Sequence, residues 1–161
     1  MNNLKFAIQM EQDGEKYYLQ QAEINKDNSL HAVCLMLATD EKNHARILTD
    51  KVNTNSFRKA DTDMLATAKN VFTDIGDIKI DWKAMATQTD FYRIAYGIEQ
   101  QSIDLYTAYF IKAEGAEEKA LFEYLIEQEK QHLALLSELT EWLRRADEWV
   151  ESAEFGIREA Y

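Results

Sequence analysis

The sequence predicts an all-α protein: an antiparallel four-helix bundle with a long crossover between helices 2 and 3 and a short C-terminal helix. Three observations carry that prediction. The 161 residues include no proline and only five glycines, so little interrupts a helix. Apolar residues recur every three or four positions along four long segments. Two short connections flank one long one, the pattern of two helical hairpins joined by a crossover.

The first helix is expected from Leu4 to about Asn25, where Phe6, Ala7, Met10, Tyr17, Tyr18 and Ala22 mark its apolar side. "KDNS" (26–29) follows, with Asp27 or Asn28 as N-cap of a second helix reaching about Val52. Residues 53–88 form the crossover, and Met64, Leu65, Ala68, Val71, Phe72 and Ile75 describe a short amphipathic helix within it, capped near Asp61 and stopped at Gly76. The third helix runs from about Thr89 to Ala113, with Gly115 placed as a left-handed cap residue. The fourth starts at Ala116, with Glu117 and Glu118 favourably placed against the helix dipole, and ends near Arg145. These make one domain, residues 1–145. The tail 146–161 reads as a fifth short helix capped by Asp147, with Trp142 and Trp149 pinning it to the bundle or to a partner subunit.

Composition limits the function. There are 18 Lys+Arg against 29 Asp+Glu, a net charge of -11, which argues against a nucleic-acid partner. No apolar run approaches a membrane span, and the N-terminus lacks the apolar core of a signal peptide. One cysteine, Cys34, excludes an intrachain disulfide and any four-cysteine metal module. A cytoplasmic location is expected.

Two of the three histidines follow a glutamate by three residues, in "EKNH" (Glu41, His44) and "EKQH" (Glu129, His132). Both belong to an internal repeat. Shifting residues 8–48 by 88 positions aligns Glu11 with Glu99, Gln12 with Gln100, Tyr18 with Tyr106, Ala32 with Ala120, Leu37 with Leu125, Glu41 with Glu129, Lys42 with Lys130, His44 with His132 and Leu48 with Leu136. Helix rise places Glu11 about 22 Å before the first turn and Glu41 about 18 Å after it, so both stand at similar heights. Glu99 and Glu129 stand likewise in the second hairpin. Side chains at i and i+3 share a face, so closing the hairpins gathers four carboxylates and two imidazoles inside the bundle. This matches the arrangement of two-metal carboxylate bundles. The competing reading is solvated charge on exposed faces. Four crowded carboxylates would repel one another, and two divalent cations would cancel that charge. Oxygen-rich donors with one imidazole per ion suit iron or manganese, and zinc would also bind.

With these residues in place, the chain resembles the rubrerythrin-type members of the ferritin-like superfamily over roughly residues 4–143. "AIQMEQDGEKYYLQQAE", "DEKNH", "YGIEQQSIDLY" and "EQEKQH" carry the resemblance. It implies a centre of two iron ions, with Glu11 and Glu99 as terminal carboxylates, Glu41 and Glu129 as bridging ones, and His44 and His132 on one ion each. Rubrerythrins proper carry a four-cysteine rubredoxin-like domain, which one cysteine cannot build, so electrons would come from another protein, itself rubredoxin-like. They also carry a second glutamate one turn after the third-helix ligand, where this chain has Ser102.

Tyr18 and Tyr106 lie two turns after Glu11 and Glu99, either as hydrogen-bond donors to the ligand carboxylates or as core aromatics. Cys34 reads as a small buried apolar residue, and His31, without a carboxylate at matching spacing, as exposed. The expected function is reduction of hydrogen peroxide or dioxygen by a homodimer in oxidative-stress defence. The alternatives are a ferroxidase or iron-storage protein and a structural metal site without turnover.

Overall fold

The computed structural model describes residues 2–28, 30–59 and 82–155. They form four helices: α1 (Asn2–Ile24), α2 (Leu30–Thr54), α3 (Trp82–Lys112) and α4 (Ala116–Phe155), with no strand among the described residues. Each helix buries a stripe at the spacing of an amphipathic helix. In α1 that stripe is Ala7, Glu11, Gly14, Tyr18, Ala22. α1 packs closely on α2, and α3 on α4, giving the two antiparallel hairpins.

The first hairpin turn is built by side chains. Asn28 Oδ1 accepts the Leu30 N–H at 2.9 Å, which identifies Asn28, not Asp27, as the cap of α2. His31 is half-buried rather than exposed. Its Nδ1 donates to the Ala22 carbonyl at 2.8 Å, satisfying one of the acceptors left free at the end of α1.

Three expected boundaries move. Gly115 is not left-handed; none of the described glycines has a positive φ. The last turn of α3 tightens instead, the Ala113 N–H reaching both Tyr109 and Phe110 carbonyls (2.9 and 3.3 Å), and the Gly115 carbonyl starts α4 by accepting the Lys119 N–H. Among the described residues the left-handed one is Asn55, at φ 55° directly after α2. α3 begins seven residues before Thr89, since "WKAMATQ" holds nothing that stops a helix. The separate short C-terminal helix does not form: α4 continues through the tail to Phe155. No glycine or proline stands between Gly115 and Gly156, and Arg144 and Arg145 both pair with Glu141 (2.8 and 3.2 Å), one turn back along the same helix. The amphipathic helix expected at 64–75 lies outside the described residues, as does the side chain of Trp149.

The core has two apolar layers. One joins Tyr18 and Ala22 of α1, Leu30 to Ala38 of α2, Phe91 to Ala95 of α3 and Leu135 to Leu139 of α4. The other joins Ala7, Ile47 and Leu48, Tyr106 and Ala113, and Leu121 to Leu125. α2 therefore ends at the second layer while α3 begins at the first. The end of α2 and the start of α3 thus lie at opposite ends of the bundle. The layers leave a polar level between them.

Candidate metal centre

That level holds all six residues singled out from the repeat. Glu11, Glu41, His44, Glu99, Glu129 and His132 are each at most 2 % exposed. Each sits on the buried stripe of its helix, so folding carries it inward along with the apolar neighbours one turn away.

Two groups of possible ligands result: Glu11, Glu41, His44 and Glu129, and Glu41, Glu99, Glu129 and His132. In each group one atom per residue lies within 4.8 Å of the others. Glu41 and Glu129 belong to both. The imidazoles face each other across the site, ring centroids 5.5 Å apart and planes 20° from parallel. His44 Nδ1 lies 3.0 Å from Glu129 Oε1 and 3.4 Å from Glu11 Oε2. His132 Nδ1 lies 3.0, 3.2 and 3.3 Å from oxygens of Glu99, Glu129 and Glu41.

Close as they are, many of these atoms are not aimed at one another. Glu11 Oε2, Glu41 Oε1, both Glu129 oxygens and His44 Nδ1 are buried without a hydrogen-bond partner. Buried polar atoms are ordinarily satisfied, so a convergent set of orphans is costly unless something sits among them. Carboxylate oxygens and imidazole nitrogens converging in this way fit divalent cations of the iron or manganese type.

Protons take over part of that role where no cation is bound. Burial, then the charges of Glu11, Glu129 and Glu99, raise the Glu41 carboxyl well above its ordinary range. Burial also raises Glu99, against the pull of His132, to about 7. For both imidazoles burial favours the neutral form, but the surrounding carboxylates outweigh it and raise them well above 6.5. Glu129 goes the other way, since His44 and His132 outweigh its burial and hold it ionised.

Tyr18 and Tyr106 are donors, each reaching across to the other hairpin. The Tyr18 hydroxyl, on α1, donates to Glu99 Oε1 of α3, and the Tyr106 hydroxyl, on α3, donates to Glu11 Oε1 of α1. Burial and the facing carboxylates raise both phenols well above 10, so they stay protonated as donors.

Two residues of the site escaped the sequence reading. Asp40, 4 % exposed, places Oδ2 3.6 Å from His132 Nε2, behind the imidazole. The repeat hid it, because the position 88 residues on is Gln128. The signal that could have found it is its place directly before Glu41. Gly14 packs against Glu41: a Cβ there would lie 3.0 Å from Glu41 Oε2. Its repeat mate is Ser102, buried, whose hydroxyl donates to the Ile98 carbonyl at 3.3 Å. Cys34 is buried in the first apolar layer, its thiol pushed up by burial to about 12, as a small core residue would be.

Antiparallel hairpins with an inward Glu on one pair of helices and an inward Glu-x-x-His on the other define the ferritin-like carboxylate bundle. Residues 2–140 match the family described as Rubrerythrin, and the chain belongs to that family. Membership implies metal binding, typically of iron. Comparison with curated proteins and comparison with solved structures each give no match. Among the described residues, no helix is long and apolar enough to cross a membrane.

Proposed function

We propose that this rubrerythrin-family chain is a redox protein of two iron ions that reduces hydrogen peroxide or dioxygen in defence against oxidative stress. The observation that carries it is that Glu41 and Glu129 belong to both ligand groups. Glu11, Glu41, His44 and Glu129 would hold one ion, and Glu41, Glu99, Glu129 and His132 the other. Manganese or zinc would also suit these donors. When bound, the metals supply electrons and open positions for the oxidant.

The chain's own residues set the conditions. Burial of all six excludes bulk water. Tyr18 and Tyr106 fix the orientation of Glu99 and Glu11 by hydrogen bonds and leave the second oxygen of each toward the site. Asp40 stands behind His132, its Oδ2 3.6 Å from Nε2, and offers that ring nitrogen a carboxylate partner. One cysteine builds no four-cysteine centre in this chain, so a separate rubredoxin-like protein is the proposed electron donor. A cytoplasmic homodimer completes the reading.

Anaerobic titration with Fe(II), followed by separate mixing with hydrogen peroxide and with oxygen, tests it. Two irons per chain, oxidised by at least one of these, are expected. Absence of stoichiometric binding would overturn the reading. A cage-sized assembly in size-exclusion chromatography, in place of a dimer, would favour iron storage.

A further inference from the structure

The two tyrosines that touch the site have different surroundings. Tyr18 meets a second phenol directly: its ring and that of Tyr17 contact edge to face, with centroids 5.4 Å apart. Tyr18 is fully buried, whereas Tyr17 is only partly so and packs on the outside of the same apolar layer. Phe91 steadies the pair, stacked parallel on Tyr17 at 6.2 Å and edge-on to Tyr18 at 6.4 Å. Its carbonyl lies 3.5 Å from the Tyr17 hydroxyl. On the other hairpin, Tyr106 stacks on Phe122 at 6.2 Å, and Phe122 in turn meets Tyr109 at 5.4 Å. A phenylalanine stands in that path, and a benzene ring is far harder to oxidise than a phenol.

We propose that Tyr17 and Tyr18 form a one-electron relay between the surface and the metal centre, an addition that rests on the redox reading above. The relay supplies an electron when peroxide or dioxygen has oxidised the site and no donor protein is docked. Tyr18 gives up one electron toward the site, and its phenolic proton passes to Glu99 Oε1, which already accepts its hydrogen bond. The radical rests on Tyr18 until an external reductant reaches the surface. Tyr17 then passes an electron to Tyr18, which takes the proton back from Glu99; Tyr17 loses its own proton to water and regains one as the reductant reduces it. The net change is one electron carried from the external reductant to the site, with both phenols restored.

The path can be tested in the opposite direction without any metal. Flash-generated tris(bipyridine)ruthenium(III) oxidises metal-free protein from outside, and freeze-quench electron paramagnetic resonance follows the tyrosyl radicals. A long-lived buried radical is expected, absent in Tyr18→Phe, at least tenfold lower in Tyr17→Phe and unchanged in Tyr109→Phe. Unaltered melting of each variant shows that the ring packing survives. An undiminished buried radical in Tyr17→Phe, loss in Tyr109→Phe, or no long-lived radical in the native protein would overturn the relay. Because this experiment contains no metal, its failure is separate from failure of the iron titration.

Discussion

Asp40 and Gln128 occupy matching places in the repeat, yet only Asp40 brings a carboxylate, 3.6 Å behind His132. A carboxylate behind a ligand imidazole fixes its orientation and raises its basicity, typically a 10–100-fold effect on metal affinity. Asp40→Asn should therefore weaken one of the two ions by at least about tenfold and leave the other nearly unchanged. Separate binding steps in an anaerobic calorimetric titration would show this. The histidines carry a stronger expectation: His44→Ala or His132→Ala should lose most of one ion each, and two tightly held ions in both variants by metal analysis would refute the six-ligand site. At Ser102, one turn beyond Glu99, the family's second glutamate is missing and the serine hydroxyl turns to its own helix backbone. On the proposed redox function, the site would then have one carboxylate fewer to stabilise oxidised metal. Stopped-flow mixing of the di-ferrous forms with peroxide should show native protein slower than Ser102→Glu, with two irons in both.

α1 carries its share of the site at the cost of ideal packing along its own stripe. In α1 the glycine at position 14 is unfavourable by roughly 1 kcal/mol against alanine in a helix interior. It leaves room for Glu41 of α2, whose Oε2 would lie 3.0 Å from an added methyl group. Gly14→Ala should thus hold or raise the melting temperature of the metal-free protein while displacing the Glu41 carboxylate. Iron affinity should fall by more than about tenfold, the lower range for disturbing the setting of a ligand. Paired thermal melts and Fe(II) titrations separate the two effects, and a variant that binds iron as well as native protein would show that Glu41 has room to move. At the other end of the hairpin, Asn28 and His31 close the turn with one hydrogen bond each, setting the register that brings Glu11 level with Glu41.

For the molecule as a whole, the polar level between two apolar layers couples folding to protons and to metal. Glu41, His44 and His132 lie well above their ordinary values, and Glu99 lies near 7. A raised folded value means the folded state binds more protons than the unfolded one, so that stabilisation is complete below the unfolded values and is lost as pH rises. These start from 4.5 for the carboxyls and 6.5 for the imidazoles, so the metal-free protein should lose stability as pH rises from about 5 through neutrality. Metal binding must displace the same protons, so affinity should strengthen with pH and protons should be released. At a hundred times the dissociation constant, metal should add about 2.7 kcal/mol. Melting curves with and without Fe(II) or Mn(II) at pH 6 and pH 8 check this, the gap being wider at pH 8; no gap at either pH would count against a buried metal site. By itself the sequence determined the helical class, the two hairpins and the six residues of the polar level, because helix periodicity and the repeat place them by local geometry alone. It also indicated Tyr18 and Tyr106, but not that each serves the opposite hairpin. That exchange, the approach of Asp40 to His132, the space above Gly14 and the unbroken run of α4 were decided only by the tertiary structure. They depend on how far apart four helices settle and how each is rotated, quantities set by side-chain packing between segments distant in the chain.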